Sequence, residues 1–399
     1  MQVDTLVPAV LVPRESHVGQ GWISFCRRAE TILASSYFAV PLLVVCTAIF
    51  ICICYVIDNS SGIGEPMGWL DGASSWPTIA IIFFTFLLSI HFILRGNYNL
   101  RRSASELTRH FGLTIARSRG TSYFNWEKPP LIQHRSEICI EIGGLWSRYL
   151  ERGRLHRRIV RTIPMVVMYF VALVVILPLI GAAPTPPIRG TFPFCQLIVI
   201  TVLAFVFLTF FVVDATLLHE GLLKQLAKYE TFWPNSTFER FEYARERNDG
   251  KNERELAYYW DIVLISRRTE SVGNLIYYPF LILFLLIVAR LPCFDDWTWT
   301  PSLIVALCMH FSVAFYAAWR LPRTATMYRD KVLGELRRIR RQALMIAKKE
   351  PDVIDTMIDE VESTHRGAFS YLWDQPAIRA LLLPSGGIGM MTLIKFLPH

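Results

Sequence analysis

The sequence predicts an all-α, polytopic membrane protein: about six transmembrane helices in three hairpins, with additional helices on the cytoplasmic side. Three observations predict it. Of the 399 residues 53% are hydrophobic and only 19% charged, against about 25% charged in soluble domains. The apolar residues gather into separate runs, each near the roughly 20 residues that span a hydrocarbon core. Lysine and arginine then alternate between rich and poor segments from one run to the next, as the positive-inside rule demands.

The six runs are 37–57, 76–94, 163–183, 192–218, 273–291 and 301–321. Buried core helices of a soluble protein are shorter and more amphipathic than these. The first run starts after a mixed polar stretch and is longer than the apolar region of a cleavable leader. With the N-terminus inside, 1–36, 95–162, 219–272 and 320–399 are cytoplasmic and hold 3, 14, 9 and 13 of the 41 lysines and arginines. The outer side keeps only Arg189 and Arg290, beside Asp58, Glu65, Asp71, Asp295 and Asp296. The net charge of +8 is therefore a topology charge, and no nucleic-acid partner is expected. Trp69, Trp76, Trp297 and Trp299 mark the outer boundary and Trp319 the inner one, since indole combines an apolar ring with an N–H that prefers water. With no acid-poor amphipathic leader, the expected location is a plasma membrane or a bacterial inner membrane, both termini cytoplasmic.

The chain divides into a cytoplasmic segment 1–36, a hairpin 37–94, a cytoplasmic helical loop 95–162, a hairpin 163–218, a second helical loop 219–272, a hairpin 273–321 and a tail 322–399. In the first loop a short helix is expected over 104–111, a turn at Pro129-Pro130, and a second helix over 136–161 that runs into the third span. In the second loop Leu218, Leu222, Leu226 and Tyr229 continue the fourth helix outward, Trp233-Pro234-Asn235 breaks it, and Asn248-Asp249-Gly250 forms a polar hinge. A further helix begins near 253 and enters the membrane at Gly273-Asn274. The tail opens with a basic helix over 325–349. Its Val332, Leu336, Ile339, Ala343 and Ile346 form a heptad-like seam, suited to the other cytoplasmic helices of the chain or to a second subunit. Pro351 ends it, and 352–362 forms a short acidic helix. The segment 369–399, with Pro376, Pro384 and Ser385-Gly386-Gly387-Ile388-Gly389, is too interrupted for a seventh span.

Ionisable residues inside spans point to function because they are costly there. The candidate intramembrane polar site is His91, Asp214, His310 and Arg290, with His91 and Asp214 at similar depth and able to pair. The plainer readings are snorkelling for the three near span ends and one interhelical hydrogen bond for His310. Pro178, Pro279 and Asn274 interrupt spans, as in transporters with broken helices, although proline is common in membrane helices. The candidate anionic-lipid contacts are Arg152, Arg154, Arg157, Arg158 and Arg161, together with Arg337, Arg338, Arg340 and Arg341. Such juxtamembrane clusters attract anionic head groups but also serve as ordinary positive-inside flanks.

Catalytic signatures are absent. His219-Glu220 lacks the second histidine of a zinc-protease helix, and the glycine-rich tail lacks the Lys-Ser/Thr of a phosphate loop. No nucleophile elbow occurs. The eight cysteines show no CxxC pair and no zinc spacing, although Cys195 and Cys293 both fall near the outer boundary. No catalytic residue, cofactor or metal is expected. Arg267-Arg268-Thr269-Glu270-Ser271-Val272-Gly273 has the look of a motif but attaches to no family. The leading expectation is a non-enzymatic signalling, scaffold or effector component working through its cytoplasmic helices. Its partners would be the bilayer, anionic lipids, and a second copy or a cytoplasmic protein. An ion channel or small-solute transporter using the polar residues of the spans comes second, and a membrane-embedded enzyme third.

Overall fold

The computed structural model describes residues 41–52, 75–113, 131–134, 137–179, 192–240, 253–289, 301–347 and 352–370. The chain is mostly helical, and five helices are long and apolar enough to cross a membrane. A sixth apolar helix, α1 (Pro41–Cys52), is shorter. The others are α2 (Ser75–Phe111), α3 (Ile142–Arg152), α4 (Leu155–Leu179), α5 (Phe192–Lys228), α6 (Asn235–Arg240), α7 (Glu253–Gly273), α8 (Tyr277–Val288), α9 (Pro301–Ala347) and α10 (Asp352–Ser363). Three-residue 3-10 turns at Asn274–Ile276 and Gly367–Phe369 complete the helical set.

Length sets the architecture. The 37 residues of α2 and of α5 reach about 55 Å each, and the 47 of α9 about 70 Å. A hydrocarbon core of about 30 Å covers little more than half of α2 and α5 and less than half of α9. One end of each helix therefore continues beyond the apolar zone, and these polar ends pack together with α3, α7 and α10 into a second layer, here termed the head.

The apolar layer and the head are filled differently. Helix α4 turns Val167, Met168, Val174 and Leu179 outward, the last at 79% exposure. These side chains are stable there only against lipid or another apolar surface. Helix α5 is packed on several sides, with Phe205, Leu208, Phe211 and Val212 buried. In the head the largest buried groups are Trp146, Trp233, Trp260 and Phe111. Trp233 lies 5.0 Å from Phe111 and 5.6 Å from Trp260, ring centre to ring centre. Such tilted pairs add to the gain from area burial. Gly112, at φ 65°, ends α2, and the Leu113 N–H turns back to the Thr108 carbonyl. A glycine suits that left-handed position.

The mostly helical chain is consistent with the expected all-α class, and the head adds strands that the sequence reading did not include. It contains a small sheet, ordered β1 (Leu131–His134), β2 (Glu137–Glu141) and β3 (Glu230–Phe232). β1 and β2 run antiparallel with Leu131 opposite Ile140, and β2 and β3 run parallel with Ile140 opposite Thr231. The helix expected over 136–161 is thus three elements: strand β2, helix α3 and the first turns of α4, with Gly153-Arg154 between the helices. The alternation Glu-Ile-Cys-Ile-Glu has a strand period of two, and Ile140 is wholly buried.

In the tail, α9 passes through Pro322 without a break, so the sixth apolar run and the basic helix are one element. Its seam faces α10: Val332 and Leu336 are buried, as are Ile354, Met357, Ile358 and Val361 across from them. Arg337 pairs with Glu362 at 2.5 Å and Arg340 with Asp355 at 2.6 Å. The Val332 and Leu336 part of the seam is thus occupied within the chain. The hinge 248–250, Arg290, Cys293, Ile346 of the seam as a side chain, and the glycine-rich segment 371–399 lie outside the described residues.

Candidate functional site

Three buried polar clusters lie along the axis from the apolar layer to the head. The middle one is built on Asp214 of α5, which is 3% exposed. Both its oxygens accept from Arg161, Nε to Oδ1 at 2.7 Å and Nη2 to Oδ2 at 3.0 Å. Arg158 adds Nε to Oδ2 at 3.3 Å, donates Nη2 to the Phe211 carbonyl at 2.5 Å, and lies 3.5 Å from the Phe211 ring centre. Arg161 Nη2 also donates to the Arg152 carbonyl at 3.0 Å, where the end of α3 presents unpaired acceptors. Two guanidiniums and one carboxylate, all buried, thus lock α3, α4 and α5 together. Arginine suits this because its planar fork engages a carboxylate with two bonds.

The second cluster lies deeper, around His310 of α9. Its Nε2 meets the Thr209 hydroxyl, which also lies within hydrogen-bond distance of the Phe205 carbonyl, at 3.1 Å. The ring packs on Phe205 at 4.0 Å and edge-on to Tyr169 at 5.7 Å. Tyr169 donates to the Ala306 carbonyl at 3.1 Å, joining α4 to α9. A cavity of about 110 Å³ opens beside them, lined by α2, α4, α5, α8 and α9.

The third cluster organises the head. Arg268 of α7 is buried and donates Nε to the Tyr149 hydroxyl at 2.9 Å and Nη1 to the Leu100 carbonyl at 2.7 Å. Ser271 reaches Ser103 at 2.7 Å. Next to Arg268, Thr269 Oγ1 accepts the Ala368 N–H at 3.1 Å, which seats the chain after α10 on α7. Gly367 is required there: its φ is 62°, and a Cβ would stand 2.3 Å from the Ser266 carbonyl oxygen. Asp261, also on α7 and fully buried, accepts from Thr231 at 2.7 Å, Tyr328 at 2.9 Å and Trp233 at 3.1 Å. It joins the sheet, α7 and α9 through neutral donors. Asp261 lies outside the apolar part of its helix, because Arg267, Arg268 and Glu270 intervene before the apolar stretch. Burial pushes its carboxyl up to about 7, against the opposing pull of the three donors.

These positions sort the sequence expectations. Asp214 takes two arginines as its partners; His91, able to pair with it by depth, is buried beside Phe92 on α2. Arg158, Arg161 and Arg152 turn inward, and Arg157 pairs with Glu151 at 2.8 Å; of this cluster Arg154 is the exposed member. Among the tail arginines, Arg338 pairs with Glu335 at 2.7 Å and Arg341 is exposed. Pro279 lies just after the 3-10 turn at Asn274–Ile276, so the interruption expected at Asn274 is a local tightening rather than an unwound segment. The roles of Asp261, Tyr149 and Thr209 were not read from sequence. Asp261 carried a signal, an acid set within Tyr258-Tyr259-Trp260 and Ile262-Val263-Leu264. No group of three or more histidine, cysteine or acidic side chains among the described residues could hold a metal.

No protein family, curated protein or solved structure matches this chain.

Proposed function

We propose that the protein is a non-enzymatic membrane signalling or effector component whose working surface is the helical head. In this reading six spans form three hairpins in a plasma membrane or bacterial inner membrane, with both termini and the head in the cytoplasm. The observation that supports it best is continuity. Helices α2, α5 and α9 pass from the apolar layer into the head without a break, and buried polar clusters tie their polar ends to α3, α4 and α7. A displacement of a span within the bilayer is then a displacement of a head helix, since packed interiors transmit strain. The segregation of lysine and arginine supports the inward placement of the head, and exposed Arg154 and Arg341 suit contact with anionic head groups.

Reconstitution in liposomes separates this from transport. Ion flux measured at several pH values, with His310→Ala beside the wild type, is expected to stay at the level of protein-free vesicles. A specific flux that changes with the His310 substitution would overturn the effector reading in favour of a channel or transporter.

A further inference from the structure

The cavity beside His310 is not required by the effector reading, and its chemistry is specific. Its wall is almost wholly apolar, with Ile82, Val206, Leu286 and Leu307 among the lining residues. Three polar side chains join them: His310, Thr201 and Tyr169. The protons of two are already committed, since Thr201 donates to the Leu197 carbonyl at 2.7 Å and Tyr169 to the Ala306 carbonyl at 3.1 Å. The third depends on Thr209, which is not part of the lining. We assign its single proton to the Phe205 carbonyl, 3.1 Å away, which puts the ring hydrogen on Nε2 in the His310–Thr209 contact. Nδ1 is left as a bare acceptor, buried and without a partner, on a side chain only 2% exposed.

The cavity thus presents hydrogen-bond acceptors in an apolar wall, and no committed polar group offers a donor. A fitting occupant is neutral, apolar in bulk, and carries a hydroxyl. An anion finds no donor, and a ketone or ester would set acceptor against acceptor. A cavity of about 110 Å³ is somewhat smaller than the roughly 150 Å³ of an engineered cavity that binds benzene, so it takes a small ring or short branched head. Val202, on the wall and 36% exposed, places one edge of the cavity at the outer surface of the apolar layer. A tail longer than the cavity leaves by that edge into lipid.

We propose that this cavity binds a lipophilic alcohol or phenol from the bilayer, whose hydroxyl donates to His310 Nδ1. Five helices meet around the occupant, among them α9, α5 and α2, which continue into the head. The binding claim stands without the effector reading, because occupancy is measured directly.

The test uses the full chain in lipid nanodiscs and fluorine NMR of para-fluorophenol, with fluorobenzene as the analogue lacking the donor. Protein-free nanodiscs set the partitioning background. The expected result is a saturable bound signal for the phenol, with fluorobenzene about tenfold weaker, the worth of one hydrogen bond in such a site. His310→Phe should bring the two probes to similar weak binding. Val202→Trp, which leaves the histidine and its partners untouched, should block both by filling the mouth. Either of two results would overturn the proposal: no saturable signal above partitioning, or a saturable signal equal for both probes and insensitive to His310→Phe.

Discussion

Asp214 and Asp261 are both buried carboxylates, 3% and 0% exposed, yet the protein compensates them in opposite ways. Asp214, in the helix that crosses the apolar layer, is held by two guanidiniums. Asp261, in the head, is held by a tyrosine, a tryptophan and a threonine, all neutral. The difference teaches where charge is tolerated. Close to lipid a lone carboxylate is too costly and must be paired with opposite charge. Two arginines for one acid also supply enough donors to staple three helices. Within the protein-lined head, three aimed donors suffice, and the carboxyl remains titratable.

Substitution to asparagine should break this comparison, because it removes charge while preserving shape. Asp214→Asn strands two buried guanidiniums and is expected to cost about 3–5 kcal/mol, read as a fall in the thermal unfolding midpoint in detergent. Asp261→Asn swaps one acceptor for a donor facing donors and is expected to cost about 1–3 kcal/mol. Equal losses at the two sites would remove the distinction drawn above.

A pH series sharpens it. The Asp261 carboxyl titrates near 3.8 in the unfolded chain and about 7 in the folded one. The folded state therefore binds the proton more tightly, so its contribution to stability is complete below the unfolded value and is lost as pH rises toward about 7. The wild type should lose stability relative to Asp261→Asn across that window. A constant difference between the two would show that the carboxyl does not titrate on folding.

Gly367→Ala comes next. It forces a side chain into a left-handed backbone already touching Ser266 and Thr269, and about 1–3 kcal/mol of strain is expected. Its signature is local: faster proteolysis between α10 and the 3-10 turn at Gly367–Phe369, with the rest of the head protected. Arg337→Ala should be nearly silent, at most about 1 kcal/mol, because its pair with Glu362 is more than 40% exposed on both sides.

The apolar layer was readable in the sequence because hydropathy is a property of runs: the described parts of the runs at 76–94, 163–183, 192–218 and 301–321 each lie in one long helix, and that of 273–291 covers the end of α7, the 3-10 turn and α8. The continuity of α9 was not, because Pro322 resembles a stop. In the structure its missing N–H costs little enough for the helix to run through. The head was read less well. Its sheet uses strands of three to five residues, too short for a periodicity signal to outweigh the helical pattern around them. The candidate polar residues were found as individuals, but their partners depend on which helices lie side by side. Asp214 meets Arg158 and Arg161 across more than fifty residues of sequence, and Arg268 meets the Leu100 carbonyl across more than one hundred and sixty. No local pattern records such distances. The seam at Val332 and Leu336 was legible as a seam, and its partner helix α10 follows directly in the chain, so local sequence carried both halves.

Mechanical continuity between the apolar layer and the head is the central claim. Hydrogen exchange in reconstituted liposomes, comparing the wild type with Asp214→Asn, tests it most directly. Loosening the Asp214 cluster is predicted to lower protection not only in α4 and α5 but also in α7 and α10, which supply none of the hydrogen bonds of that cluster. Unchanged protection of α7 and α10, with α4 and α5 loosened, would contradict the account by showing that the two layers move independently.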